Sequence, residues 1–260
     1  MGHKEYKKLH AEWYELVSDR IDHNKEIDFW ARRIEEAGEP VLELGSGTGR
    51  VLVPLLERGF EIVGIDASQD MLARCFATCE AKGQQAELYK QSMLEFDLPR
   101  QFGLIFLASG GLGLFISYQD IQATFERVMV HLKPGGLFVF EFEPLPPDNK
   151  RDTNDSIWGR WEGDWIKGPN DVVIAWRRRF KYNRATHVWE SLFIVEKFIN
   201  GSLIETEANE RAGRYFTIGE AVQYASSAGF EDISVTDWLT DDPPRDDSKV
   251  ITVRCKKPAV

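Results

Sequence analysis

Cysteine is scarce in this chain: only Cys75, Cys79 and Cys255 are present, the first two one helical turn apart. Three thiols so spaced provide neither a disulfide framework nor a zinc-ligand pattern, and they read as small helix residues in a reducing cytosol. Nor does any other spacing of side chains suggest a bound metal ion. Long apolar runs are also missing. No segment approaches the ~20 residues that a membrane-spanning helix needs. The opening Met1–Tyr6 is polar, without the apolar core of a signal peptide, so the expected location is cytoplasmic and no membrane partner is expected. Cations are in deficit. The 42 acidic and 32 basic side chains leave a formal net charge of −10, a balance that repels a phosphate backbone and argues against nucleic acid as a partner. What is present is 260 residues, 43% of them hydrophobic, enough for one α/β domain with an elaboration or for two small domains.

The most informative stretch is Val41-Leu42-Glu43-Leu44-Gly45-Ser46-Gly47-Thr48-Gly49-Arg50. Val41, Leu42 and Leu44 give the apolar run of a strand covered on both faces, and the alternating glycines let the backbone turn tightly and approach a ligand. A dinucleotide fingerprint places its third glycine three residues after the second; here the glycines fall at 45, 47 and 49, with Glu43 two residues ahead of them. A second signal follows at the right distance. Gly59 to Asp66 reads as a helix-closing glycine and a short apolar strand ending in an acid. An acid about 20 residues beyond such a loop is where Rossmann-like sites hold ribose hydroxyls.

The acid-x-Gly-x-Gly-x-Gly pattern resembles motif I of the class I S-adenosylmethionine-dependent methyltransferases. That resemblance implies S-adenosylmethionine as cofactor, lined by Glu43, Gly45, Ser46, Gly47, Asp66, Ala67, Met71, Ser92, Met93 and Ala108. Two positions depart from the family pattern, because an acid is common where Ser92 stands and an Asp where Gly103 stands. The resemblance further implies methyl transfer to a nitrogen or oxygen of a small-molecule acceptor. The protein's main work would be to place the acceptor atom about 3 Å from the methyl carbon and strip it of water. Glu141 and Tyr14 are the candidates for positioning or for a base. His23 and His187 qualify by residue type alone, and His131 reads as a helix C-terminal residue. Two other functions stay open: a cofactor-binding protein without transferase activity, and a dinucleotide-dependent oxidoreductase, which the glycine spacing disfavours.

Strand and helix signals alternate along the middle of the chain. Strands are expected at Val41–Leu44, Glu61–Asp66, Ala86–Gln91, Leu104–Ala108 and Leu137–Glu143, and helices at Arg50–Arg58, Gln69–Lys82 and Ile121–Leu132. This order predicts a Rossmann-like, mostly parallel sheet with helices on both faces, closed to seven strands by an antiparallel pair near Glu231–Trp238 and Lys249–Cys255. Pro54 predicts a late start or a kink in its helix. Ala108 to Phe115 is a second glycine-rich loop, either an approach to the sulfonium or a flexible connection. Leu132-Lys133-Pro134-Gly135-Gly136 reads as a turn into the fifth strand.

Three units are expected. Residues 1–36 form an N-terminal helical lid, broken near Asp22-His23-Asn24; 37–143 with 217–260 form the methyltransferase core; 144–216 form an inserted antiparallel subdomain that covers substrate. The insert opens with Pro144, Pro146 and Pro147 and polar Asp148–Asn154. It then carries five of the eight tryptophans, and Val172–Tyr182, Thr186–Ile199 and Ser202–Arg211 read as a three-stranded meander turning at Asn200-Gly201. Strand alternation puts Trp176, Arg178 and Phe180 on one face and Arg177, Arg179 and Lys181 on the other. Trp13, Arg178 and Trp176 are the expected substrate contacts. The cations either meet an acidic group on the acceptor or pair with Glu190, Glu196, Glu205 and Glu207 of neighbouring strands.

Overall fold

A computed structural model describes residues 6–145 and 158–259; Pro146, Pro147 and the Asp148–Asn154 stretch lie outside them. Helices α1 (Lys8–Ser18) and α2 (Asn24–Ala37) come first and break where the charge pattern predicts. Strands β1 (Val41–Leu44), β2 (Ile62–Asp66), β3 (Glu87–Lys90), β4 (Phe102–Leu107) and β5 (Leu132–Phe142) alternate with helices α3 (Leu52–Glu57), α4 (Gln69–Ala81) and α5 (Tyr118–His131). Strands β6 (Glu162–Lys167), β7 (Val172–Asn183), β8 (Val188–Ile199) and β9 (Ser202–Arg214) follow, then helix α6 (Ile218–Ser227) and strands β10 (Glu231–Asp237) and β11 (Ile251–Lys256).

The main sheet has seven strands in the order β10-β11-β5-β4-β1-β2-β3. β1 to β5 are parallel, and β11 runs antiparallel to both β5 and β10. Because β1 pairs with β2 on one side and β4 on the other, the chain reverses its winding there, and a crevice opens beyond the carboxyl ends of β1 and β4. Alternate residues of the buried strands face two half-cores. One packs Leu42, Ile105, Phe138 and Phe140 against Phe125 of α5 and Ala221 of α6. The other packs Val41, Leu104, Phe106 and Val139 against Trp30 of α2 and Leu52 of α3, with Trp30 stacked on Phe106 at 4.3 Å between ring centroids. Cys75 and Cys79 lie in this second half-core and Cys255 in the first, all three as free thiols.

Local chemistry accounts for the element ends. α3 starts at Leu52, so Pro54 is its third residue, where a backbone N–H would have no intrahelical partner anyway. Ser68 and Ser117 accept backbone N–H groups at the starts of α4 and α5, and Thr217 with Glu220 forms the reciprocal capping box of α6. The Lys133 to Gly136 turn is absorbed into β5 as an irregularity, since Phe102 pairs with Leu132 but Leu104 with Leu137. Gly103 has a steric reason to lack a side chain. A β-carbon there would stand 2.1 Å from the carbonyl oxygen of Gly38.

The insert is a separate four-stranded antiparallel sheet in the order β6-β7-β8-β9, not a three-stranded meander. The additional strand, β6, is an edge strand exposed at five of its six positions, so it carries no alternating apolar signal. Asn200 and Gly201 adopt positive φ values of 50° and 78°, as a tight hairpin requires. Pro144, where the chain leaves the main sheet, bridges to Phe216, where it returns. α1 packs on the inner face of this second sheet, with Leu9, Trp13 and Leu16 joining Ile174, Trp176, Phe193 and Val195 in a small core of its own.

Candidate active site

At the carboxyl end of β1, Gly45, Gly47 and Gly49 have φ values of +69°, +57° and +87°, a conformation that side-chain-bearing residues rarely adopt. A β-carbon on Gly47 would come within 3.3 Å of the Met71 methyl group, and one on Gly45 within 3.7 Å of the Met93 methyl group. The structure thus brings Met71 and Met93 to the rim of the loop. Asp66, at the end of β2, accepts the Gly47 N–H at 2.9 Å and the Ser68 N–H at 2.7 Å. These two amides fix the carboxylate beside the loop, and Ala67 lies half-buried next to it.

Glu43 is almost fully buried in β1. Burial holds its carboxyl well above the usual carboxylate range, against the opposing charge of Arg50, and Oε2 has no hydrogen-bond partner. The hydroxyl of Ser46 is likewise buried without a partner. Two unmet polar atoms behind a glycine cradle are groups that a polar ligand would complete. Ser92 is turned differently. Its hydroxyl accepts the Leu94 N–H at 3.2 Å and closes the turn that carries Met93.

Arg50, which the sequence marks only as the start of a helix, is the hub of the site. Its guanidinium donates to Glu26 of α2 and to the Ser109 hydroxyl, lies 3.4 Å from His23 Nδ1, and faces the Tyr14 hydroxyl. Burial would favour the neutral form, but Tyr14 and Glu26 more than offset this and bind the proton more firmly. Burial raises the Tyr14 phenol, so this side chain stays protonated at neutral pH. One clue to Arg50 was available in the sequence. A cation directly ahead of a helix is disfavoured by the helix dipole, so it needs carboxylates from elsewhere in the fold.

Ala108, Ser109 and Gly110 follow β4. Ser109 and Gly110 have φ values of 60° and 68°, and the strained serine is held from two sides: Arg50 takes its hydroxyl, and Glu141 accepts its N–H at 2.6 Å. The loop is therefore braced, not a flexible connection. Glu141, expected at the mouth, is sealed beneath this loop with no exposed surface, and burial pushes its carboxyl up to about 8. Glu143, two residues on and beyond the edge of the sheet, is exposed. The groups around it still desolvate its carboxyl enough to raise it, against the charge of Arg178.

Arg178 lies over Trp176 at 5.5 Å and Phe180 at 4.9 Å, on the face that strand alternation predicts, with Glu162 at 3.6 Å. Close by is Tyr215, whose phenol is pushed up to about 12 by burial and then by Glu143. Trp13 stands apart from this rim. It packs against Phe193 and Trp176 in the small core under α1. On the outer face, Lys181 pairs with Glu190 and Arg177 with Glu196, while Arg179 lies between Trp158 and Trp161. Those cations are thus largely matched by neighbours in the sheet. Glu207 instead points inward and accepts the Leu9 N–H at 3.0 Å. His131 is structural: Nε2 accepts the Leu98 N–H and Nδ1 lies 2.8 Å from the Arg127 carbonyl. His23 belongs to the Arg50 cluster, and His187 lies 4.0 Å from Glu220, near α6.

Known proteins match this arrangement. Residues 41–136 match the family model of a methyltransferase domain. The chain is 26% identical over 254 residues to YqeM of Bacillus subtilis (strain 168), a protein whose name assigns it provisionally to the methyltransferases, covering 93% of this chain and 94% of that one. It is 28% identical over 136 residues to the dTDP-3-amino-3,6-dideoxy-alpha-D-glucopyranose N,N-dimethyltransferase of Streptomyces fradiae, about half of each chain. The crystal structure of an S-adenosylmethionine-dependent methyltransferase from Clostridium acetobutylicum ATCC 824 superposes with a TM-score of 0.76 at 20% identity, covering 95% of this chain and 97% of that one. The glycine loop, the winding of the sheet and the family match converge: residues 41–136 form a methyltransferase domain, and the fold around it is that of S-adenosylmethionine-dependent methyltransferases.

Proposed function

We propose that the protein transfers the methyl group of S-adenosylmethionine to a nitrogen of a small-molecule acceptor, with oxygen as the alternative atom. The observation that carries this reading is the Asp66 carboxylate, fixed by the amides of Gly47 and Ser68 beside a glycine cradle whose buried Glu43 and Ser46 oxygens lack partners. The residues fit the cofactor. Asp66 would hold its ribose hydroxyls, Gly45 to Gly47 would admit its backbone-facing edge, and Ala67, Met71, Ser92, Met93 and Ala108 would border it. When bound, S-adenosylmethionine supplies an electrophilic methyl group, so no residue need form a covalent bond to it.

The remaining work falls to orientation and water exclusion. Tyr14 and Glu141 act as positioning residues, Tyr14 through Arg50 and Glu141 through the Ser109 amide. Glu143, at the rim beside Arg178 and Tyr215, is the acid best placed to take a proton from the acceptor. Residues 1–36 and 144–216 serve as the enclosure of the acceptor over the core formed by 37–143 and 217–260. The dimethyltransferase similarity favours nitrogen. Calorimetric titration with S-adenosylmethionine and, separately, NADH tests the cofactor: binding of the first alone is expected, and binding of neither to ligand-free folded protein would refute the reading. Formation of S-adenosylhomocysteine with a panel of amines, alcohols and phenols then tests the acceptor.

A further inference from the structure

The inner face of the second sheet holds a group of polar atoms that the cofactor reading does not use. Cross-strand register places Arg178, Phe193 and Asn209 in one row and Phe180, Ser191 and Arg211 in the next. The guanidinium carbon of Arg211 lies 3.7 Å from the Tyr6 ring centroid and 5.8 Å from that of Phe193. Its Nη2 is buried without a hydrogen-bond partner, and among the described residues no carboxylate forms an ion pair with it. His10 packs on the same Phe193, at 4.5 Å between ring centroids, and is fully buried. The Asn209 amide donates to His10 Nδ1 at 2.7 Å, which leaves the ring proton on Nε2, and that N–H has no acceptor.

Burial, and then the charge of Arg211, push the imidazole down to about 3, so His10 is a neutral donor at physiological pH. The indole N–H of Trp13, whose ring lies 4.7 Å from Phe193, is another donor in this cluster without an acceptor. The nearest acid is already engaged, because Glu207 accepts from the Leu9 amide and from Asn209. Arg178, in contrast, has Glu162 and Glu143 beside it. Unmet donors and an unpaired guanidinium around one aromatic ring are costly to bury, and an oxyanion would satisfy them together.

We propose that Arg211, His10 and Trp13 form an oxyanion subsite that holds a carboxylate or phosphate group of the methyl acceptor. The inference rests on the methyltransferase reading above. Tyr6 links the subsite to the cofactor end of the cleft: its ring stacks under Arg211 and stands 5.8 Å from Tyr14, and its carbonyl accepts from the Ser68 hydroxyl at the start of α4. In this reading the acceptor rests its anion on the sheet and extends past Tyr6 toward the cofactor end, where Tyr14 and Ser68 lie. A planar guanidinium beside a neutral N–H suits the paired oxygens of either anion.

The test titrates full-length protein, loaded with S-adenosylhomocysteine, with inorganic phosphate and with acetate at constant ionic strength, by calorimetry and by the His10 side-chain nitrogen resonances. Saturable binding of one anion that moves the Nε2 resonance is expected. Arg211→Met should weaken it about ten- to hundredfold, with the affinity for S-adenosylhomocysteine retained, and Arg179→Met, on the outer face of the sheet, should leave it unchanged. Arg211→Lys, which keeps the charge but not the fork, serves in the same direction if the methionine variant fails to fold. Preference for phosphate would identify phosphate esters as acceptors, and preference for acetate carboxylic acids. No saturation by either anion in protein that binds S-adenosylhomocysteine, or equal binding by the Arg211 variant, would overturn the subsite. Failure of the wild type to bind S-adenosylhomocysteine would instead overturn the methyltransferase reading beneath it.

Discussion

Replacing Glu141 by Gln should make the protein more stable at neutral pH and leave catalysis largely intact. The carboxyl has no exposed surface, and burial lifts it from an ordinary 4.5 to about 8. Between those values the unfolded chain has lost this proton and the folded chain has kept it, so stability falls as pH rises through the window. At about 1.4 kcal/mol per pH unit, the cost reaches about 3 kcal/mol at pH 7 and vanishes below pH 4.5. Gln is neutral at both ends, has the same size, and keeps an oxygen for the Ser109 N–H. Urea unfolding of both proteins at pH 4.5 and pH 7 measures the difference, expected near zero at the first and about 3 kcal/mol in favour of the variant at the second. Turnover decides the role. A positioning residue predicts a rate within about tenfold of wild type, whereas a general base predicts a loss of about a hundredfold or more. A variant no more stable at pH 7 than wild type would refute the burial argument, and a collapse of turnover would restore Glu141 as a base.

Asp66→Ala should weaken cofactor binding about ten- to hundredfold by calorimetry; an unchanged dissociation constant would remove Asp66 from the site. Arg50→Met strands the carboxylate of Glu26, so urea unfolding should show a loss of about 3–5 kcal/mol, and a loss below about 1 kcal/mol would mean that the cluster is solvated. Gly103→Ala, with its β-carbon driven against the Gly38 carbonyl, should cost about 1–3 kcal/mol in the same assay. Arg179→Ala, on the outer face between Trp158 and Trp161, should cost about 0.5–1 kcal/mol with turnover unchanged; lost turnover would move the acceptor to that face.

The elements around the candidate cofactor site can be read from sequence because their causes are local. Three glycines at positive φ, an acid at a strand end and apolar runs of strand length all fall within residues 41–66. What could not be read depends on contacts between distant segments. Arg50 gains its meaning from Glu26, 24 residues before it, and Ser109, 59 after it. Glu141 and Glu143 look equivalent in a strand, and only the loop folded over the first separates a buried brace from an exposed acid. β6 was illegible because an edge strand open to water needs no apolar face. Ser92 and Gly103, which depart from the family pattern, each have a structural reason: one closes a turn, and the other clears a carbonyl.

The small core shared by α1 and the second sheet constrains how this protein could be re-engineered. Leu9 and Trp13 belong to the same packing unit as Ile174, Phe193 and Val195, although more than 150 residues separate them in the chain. A chimera that transplants residues 158–214 alone would set a foreign sheet against a native helix and leave Leu9, His10 and Trp13 without their partners. The second sheet should therefore keep its packing only when 6–20 and 158–214 are exchanged together, in a single graft.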